Sequence, residues 1–317
     1  MNDTPRIAIV IPCYNEQDAL PITAAKLLEL LDKMAGEGLV SIDSYVLCSN
    51  DGSRDSTWTV IDDLHRKDPR IKGISLAHNR GHQYALLAGL MSAHGHCDAA
   101  ISIDADLQDD PDAIIEMVRK FREGKEIVYG VRSSRATDTW FKRTTAHGFY
   151  SFQKLMGLDT VYDHADYRLM SDRALGLLAE YGESNLFLRG IIPQIGLDSA
   201  IVTYERHERV AGESKYPLAK MISFSIDGIT SFSSKPIRII FMTGLILLLL
   251  DIAVAVYVFS AYFADKTILG WTSLMLSVWF LGSIILMSIG IVGEYIGKIF
   301  NEVKHRPRYA IKEKIWD

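Results

Sequence analysis

The stretch that decides the fold is Ala99–Glu123, AAISIDADLQDDPDAIIEMVRKFRE. It opens on an apolar run, Ala99–Ile103, crosses an acidic turn and closes on a helical pattern over Pro111–Glu123. A short uncharged run bounded by turn residues reads as a buried strand, whereas apolar residues spaced three and four apart read as an amphipathic helix. Strand, turn and helix make one step of a βα rhythm. The turn is unusual: five carboxylates, Asp104, Asp106, Asp109, Asp110 and Asp112, fall within nine positions at the mouth of the strand.

The same step recurs along the first half of the chain. Arg6–Pro12, Tyr45–Ser49, Ile71–Ala77 and Ile127–Val131 read as further strands, with helical patterns over Ala19–Met34, Ser56–Lys67 and Gln83–His94 between them. Alternating β and α elements predict an α/β fold with a mostly parallel, doubly wound sheet. Ligands of such sheets bind outside the carboxyl ends of the strands, where the winding reverses. The polar residues after each strand are therefore expected along one edge: Tyr14, Asn15 and Glu16; Asn50, Asp51, Gly52 and Ser53; His78, Asn79, Arg80 and Gly81; and Asp104 with Asp106.

Composition narrows the function classes. With 317 residues, 48% hydrophobic and 23% charged, the chain can bury one large core, alone or beside a smaller unit. A net charge of −5 gives no global cationic field, so nucleic acid is not an expected partner. Cys13, Cys48 and Cys97 lack the paired spacing of a zinc site or disulfide framework and read as reduced core residues. The start, MNDTPRIAIVIP, has no basic region followed by a long apolar one, so no cleaved signal peptide is expected.

The pattern changes near residue 235. Ile237–Phe263 and Ile268–Val292 are almost uncharged and about 25 residues each, enough to cross a hydrocarbon core of about 30 Å. They read as two transmembrane helices joined by a short link. Lys215, Lys220, Lys235 and Arg238 precede them and Lys298, Lys304, Arg306, Arg308, Lys312 and Lys314 follow, which places both ends in the cytosol of a multi-pass plasma-membrane protein. Pro217–Ser234 mixes Leu218, Met221, Ile222, Phe224, Ile229 and Phe232 with polar residues, a pattern for a helix on the membrane surface or for an ordinary core helix. The expected organisation is an α/β domain over 1–216, an amphipathic segment over 217–235, the hairpin over 236–293 and a basic cytosolic tail over 294–317. Asp251 inside the first span reads as a structural contact or a functional group, and Gly290, Gly293 and Gly297 as a close helix approach.

In the acidic turn, a D-x-D at a strand end puts the Asp104 and Asp106 carboxylates on one side of the backbone. Such oxygens suit Mg²⁺ or Mn²⁺, which complete their shells with water and substrate phosphates. Asp109, Asp110 and Asp112 flank Pro111 and read as charge favoured by a helix N-terminus.

VIPCYNE at 10–16, NDGSRD at 50–55, NRGHQYAL at 79–86, DADLQD at 104–109, HADYRLM at 164–170 and AGESKYP at 211–217 occur in the order and spacing of family 2 glycosyltransferases. Over essentially its whole length the chain resembles the polyisoprenyl-phosphate branch of that family, which includes dolichyl-phosphate mannose synthase and the bactoprenol glycosyltransferases. The resemblance implies a GT-A fold and an inverting, metal-dependent transfer from a UDP-sugar to polyisoprenyl (undecaprenyl) phosphate. It implies that Pro12, Tyr14, Asn15, Glu16 and Asp51 hold uracil and ribose, and that Asp104, Asp106 and Gln108 hold the metal. Asn50 stands where many members have Asp, its amide still able to bond base or ribose, and Arg80 replaces the usual aromatic. Asp166 matches the residue assigned as catalytic, with Arg168 as an ion-pair partner. Arg132, Arg143, Arg206, Arg209 and Lys215 are the expected cations for the lipid phosphate and the leaving diphosphate. UDP-N-acetylglucosamine is the donor the resemblance favours, with UDP-glucose next. Membrane lipid, a homo-oligomer such as a tetramer, a separate flippase and a downstream transferase are the implied partners. The rival readings are a silent membrane-anchored nucleotide-sugar sensor and a transferase to a non-lipid acceptor.

Overall fold

Seven consecutive buried residues, Ile7–Cys13, form strand β1 in the interior of an eight-stranded sheet. An unbroken apolar run of this kind suits a strand covered on both faces. The computed structural model describes residues 4–133, 164–183, 186–205 and 271–316, with scattered positions between 237 and 256. The other strands are β2 (Tyr45–Asn50), β3 (Ile71–Leu76), β4 (Ala99–Ser102), β5 (Ile127–Arg132), β6 (His164–Ser171), β7 (Ser199–Tyr204) and β8 (Ile311–Ile315). Their order is β7-β5-β6-β4-β1-β2-β3-β8. Helices α1 (Leu20–Gly36), α2 (Thr57–Lys67), α3 (His82–Ala93), α4 (Ala113–Arg122), α5 (Asp172–Glu180) and α6 (Leu188–Gln194) connect them, and a long helix, α7 (Trp271–Val303), precedes β8.

The four βα steps read from the sequence are all present, because period and burial agree. In α1, Leu20, Ala24, Leu27, Leu31 and Met34 are buried at three- and four-residue spacing. Ile7, Ile9 and Ile11 of β1 join the core cluster made with α1 and α4, while Val10 faces α3 on the other side. A Cβ at Gly89 of α3 would stand 2.4 Å from Val10 Cγ1, so the helix lies on the sheet only because that Cβ is missing. Pro12 is tolerated within β1 because β1 pairs with β4 only as far as Val10. The carbonyl of Val10 faces the β4 side, where it accepts from Ile103, and that of Cys13 faces β2, where it accepts from Asp51. Pro12 therefore turns its missing N–H toward a strand that has already ended.

Three strands were not anticipated, and they change the architecture. β6 runs antiparallel between β4 and β5, and β7 adds a parallel edge beside β5. Residues 311–315, expected within a basic tail, instead form β8, antiparallel to β3. Four of the strand pairings are parallel and three antiparallel. Cys13, Cys48 and Cys97 are buried and free.

The chain divides into two units, Met1–His147 with Thr160–Tyr216 and Arg306–Asp317, and Gly148–Asp159 with Pro217–His305. In the second, α7 runs unbroken to Val303, beyond the expected end of the span at Val292, and its segment Phe280–Val303 is long and apolar enough to cross a membrane. Leu286, Met287 and Ile289 are 72%, 68% and 62% exposed, an apolar surface suited to lipid rather than water. Glu294, Lys298 and Glu302 follow at four-residue spacing, on one side of its last turns. Most of Ile237–Phe263, with Asp251, and all of Pro217–Ser234 lie outside the described residues. The close helix approach expected at Gly290, Gly293 and Gly297 would involve the first span, most of which lies outside the described residues.

The Gly89 contact yields a stability prediction. Gly89→Ala should lower unfolding free energy by about 1–3 kcal/mol through overpacking. In chemical denaturation of the detergent-solubilised chain, adding Val10→Ala should give a smaller loss than the sum of the two single changes, since both act on one contact.

Candidate functional site

The β4–β6 register builds the site. Ser102 pairs with Arg168 in this antiparallel ladder, and continuing the register outward sets Asp104 against Asp166. Two carboxylates far apart in sequence thus meet at the open end of the sheet. His82, first residue of α3, stands between them, its Nε2 3.7 Å from Asp104 Oδ1 and 3.5 Å from Asp166 Oδ2.

Asp166 is ringed by donors. Arg168 Nη2 meets Asp166 Oδ1 at 2.6 Å, both side chains being buried. Arg189 of α6 places Nε 3.2 Å from Oδ1 and Nη2 3.3 Å from Oδ2. Gln83 donates from Nε2 to Oδ2 at 2.9 Å and accepts the backbone N–H of Leu188 on Oε1 at 3.2 Å, which ties α3 to the start of α6. Burial works to raise the Asp166 carboxyl, yet the His82 ring, Arg189 and Arg168 together hold it well below the usual carboxylate range. Asp104 goes the other way. Burial, opposed by His82 and reinforced by Asp166, Asp109 and Asp106, pushes it up to about 6 although its side chain keeps 42% of its surface open. Burial disfavours the His82 imidazolium, but the two carboxylates raise it overall.

The D-x-D loop is held by hydroxyls on two neighbouring elements. Thr23 of α1 donates to the Ala105 carbonyl at 2.6 Å, and Tyr167 of β6 donates to that of Asp110 at 2.9 Å. Leu107 takes a φ of 51°, a costly conformation for a side chain of its size and one that clusters at functional sites. Ala105 is buried between Asp104 and Asp106, which are both partly exposed, an alternation consistent with two carboxylates on one side of the backbone. Among the described residues no three His, Cys, Asp or Glu side chains form a ready-made cation cage. Two carboxylates whose Asp104 member resists ionisation in the protein alone fit a cation that brings phosphate ligands with it; a self-sufficient metal centre needs more.

After β1 and β2, two loops lock together. Asn15 N–H donates to Ser53 Oγ, Arg54 N–H to Asn15 Oδ1 and Glu16 N–H to Thr57 Oγ1, leaving Tyr14 40% exposed above Pro12, itself buried. Asp51 is buried, and its oxygens accept the N–H groups of Arg80 at 2.7 Å and Gly81 at 2.8 Å. Gly52 allows this latch: its φ is +62°, and a Cβ there would stand 2.7 Å from the His78 carbonyl carbon.

Three sequence expectations need correction. Asn50, expected to offer its amide to base or ribose, is buried at the end of β2, bonded to Ser75 Oγ at 2.9 Å and accepting Ser53 N–H. Asp109 is not a solvated helix charge: it is 2% exposed and accepts from Arg132 Nη2 at 3.1 Å and Tyr204 OH at 2.7 Å. Arg132, expected at a lipid phosphate, is thereby held on Asp109 and Tyr204. Asp110 and Asp112 match the helix-start reading, Asp112 standing at the N-cap of α4. Gln108 is half-buried, its backbone N–H donating to Asp106 Oδ1. Arg143, Arg206, Arg209 and Lys215 lie outside the described residues. His82, Gln83 and Arg189 were missed as site residues. The first two sat inside the quoted NRGHQYAL motif, whereas Arg189 lies in a short helix that carries no signal of its own.

The model of glycosyl transferase family 2 matches residues 8–178, and that of the GtrB C-terminal hairpin matches 235–299. The glycosyltransferase YkoT of Bacillus subtilis (strain 168) is 51% identical over 97% of this chain and 91% of its own. A prophage bactoprenol glucosyl transferase homolog of Escherichia coli (strain K12) is 37% identical over 97% of this chain and 98% of its own. The bactoprenol glucosyl transferase of Shigella phage SfV is 36% identical over 98% and 99%.

The ion pair at the centre makes a prediction of its own. Asp166→Asn leaves Arg168 buried without its counter-charge and should reduce unfolding free energy by about 3 kcal/mol. A carboxyl held below its unfolded value of about 3.9 stabilises the fold above that pH and loses the effect as pH falls through the folded value. Urea titrations below pH 4 should therefore show stability falling more steeply with acid in the parent protein than in the variant.

Proposed function

The chain belongs to glycosyl transferase family 2, and from that membership we propose that it transfers a sugar from a UDP-sugar to polyisoprenyl (undecaprenyl) phosphate at the cytosolic membrane face. The observation that carries this reading is the meeting of Asp104 and Asp166 across the β4–β6 junction, with open carboxylates on one side and a cation-ringed carboxylate on the other. The bactoprenol acceptor in the names of the relatives, together with the GtrB-type hairpin, supports a lipid phosphate as acceptor.

Asp104 and Asp106, with Gln108, would hold Mg²⁺ or Mn²⁺, which would neutralise the donor diphosphate and the charge on departing UDP. Pro12, Tyr14, Asn15, Glu16 and the Asp51 latch frame uracil and ribose. The lipid-phosphate oxygen attacks the anomeric carbon as its bond to the diphosphate breaks, so an α-linked donor gives a β-linked product. A phosphate monoester has a second pKa of about 6, so the attacking oxygen is already ionised near neutral pH and needs no strong base. Asp166 suits a different task, because a carboxylate held well below its usual range by His82 and two arginines is a poor proton acceptor. It positions Arg189, whose side chain keeps 37% of its surface open, for the acceptor phosphate. Arg143, Arg209 and Lys215 add cations for the two phosphates.

The basic residues flanking the spans favour a hairpin with both ends cytosolic. Two spans offer no path for the sugar head group, which assigns flipping to another protein and final transfer to a further enzyme. The donor sugar is N-acetylglucosamine or glucose, the latter matching the glucosyl names of the relatives.

Radiolabelled transfer from a panel of UDP-sugars to undecaprenyl phosphate tests this. With purified protein in detergent and Mn²⁺, label from one donor should enter the lipid phase, and EDTA or Asp106→Ala should reduce it at least about 100-fold. UDP binding without transfer from any donor would overturn the reading in favour of a sensor or a non-lipid acceptor.

A further inference from the structure

Residues 306–316 make contacts that a passive tail does not. β8 pairs with β3 from Gly73 opposite Ile315 to Leu76 opposite Ile311, and Ala77 N–H continues the contact to the Ala310 carbonyl at 2.9 Å. Trp58 Nε1 donates to Glu313 Oε2 at 2.8 Å. Lys72 Nζ donates to the Trp316 carbonyl at 2.5 Å and lies 4.8 Å above the Trp316 ring, which meets Tyr45 edge-on. These anchors fix the far end of the segment to β2, β3 and α2.

Its near end grips two loops of the site. Arg80 donates from Nε to the Arg308 carbonyl at 2.9 Å and from Nη2 to the Pro307 carbonyl at 3.2 Å, with its guanidinium 5.6 Å above the Tyr84 ring. The Arg308 guanidinium in turn donates to the carbonyl of Tyr181, the C-cap of α5. Arg80 and Gly81 supply the two N–H groups on Asp51, and the next residues, His82 and Gln83, touch Asp166. Gln83 also binds the N–H of Leu188, beside Arg189. The segment therefore braces the stretch that delivers His82 and Gln83 to Asp166, and it holds the end of α5 as well. A planar guanidinium bridging two consecutive carbonyls is a rigid fork that lysine cannot fully copy and an aromatic ring cannot make at all.

We propose that residues 306–316 form a strap that positions the active site, and that Arg80 is the clamp through which it acts. The inference rests on the transferase reading for its kinetic readout alone.

The test uses the full chain in detergent with Arg80→Phe, Arg80→Lys, Trp316→Ala and the Arg80→Phe/Trp316→Ala double variant. Trp316→Ala loosens the strap at its far end without touching the site. Hydrogen exchange of peptides 77–84 and 306–312, measured without substrate, should speed up about tenfold in Arg80→Phe and in Trp316→Ala, reporting a local opening. The donor KM should rise about tenfold in both with a smaller change in kcat, Arg80→Lys should recover part of the loss, and the double variant should be no worse than the more damaged single variant. Unchanged exchange at 77–84 in Trp316→Ala, or kinetic losses that multiply in the double variant, would overturn the clamp and make Arg80 a direct donor ligand. A parent protein that turns over no UDP-sugar would defeat the transferase reading while leaving the exchange comparison to decide the strap.

Discussion

One buried ion pair organises this molecule. Arg168 lies in the sheet at 1% exposure, a position no isolated guanidinium tolerates, and the Asp166 carboxylate 2.6 Å away makes it possible. Both residues sit on β6, the strand wedged antiparallel between β4 and β5. That wedge carries Asp166 to the same end of the sheet as Asp104, which parallel winding alone would not achieve. His82, Gln83 and Arg189 arrive from α3 and α6 and converge on the same carboxylate. Energetically such a pair is seldom a net gain over an apolar core; its value here is the fixed placement of charge at the site.

The consequence is a site divided by electrostatic character. Around Asp166 the cations prevail and the carboxylate stays ionised, whereas Asp104 and Asp106 are partly exposed among the described residues, with Asp104 raised to about 6. The first half is complete within the protein, with every oxygen of Asp166 engaged. Among the described residues, His82 and, at longer range, Arg189 are the positive groups that act on Asp104. A divalent cation carrying a diphosphate would add positive charge beside Asp104 and Asp106, and the Asp51 latch and the interlocked 14–17 and 53–57 loops follow the neighbouring strands β1, β2 and β3.

Much of this was legible in sequence, for definite reasons. The strands through Tyr45–Asn50 and Ala99–Ser102 are apolar runs or nearly so, and α1 and α4 bury residues at three- and four-residue spacing, so local pattern located them. β6 escaped because HADYRLMS carries Asp166 and Arg168 at alternate positions, which reads as a polar loop until the two charges are known to neutralise one another. β8 escaped because IKEKI is charged at three of five positions, as an edge strand in water can be. Asp109 looked like helix-start charge beside Pro111, and only the arrival of Arg132 on β5 and Tyr204 on β7 makes it an interior residue. Local patterns report local structure, and β8 and Asp109 each depended on a partner more than twenty residues away.

The most direct test of the division of charge is an electron paramagnetic resonance titration of Mn²⁺ on the purified full chain, with and without UDP. Two open carboxylates predict weak binding of the free ion and at least about tenfold tighter binding once the diphosphate is present. Tight Mn²⁺ binding that is indifferent to UDP, or no Mn²⁺ binding under either condition, would contradict the assignment of Asp104 and Asp106 as half of a site that the donor completes.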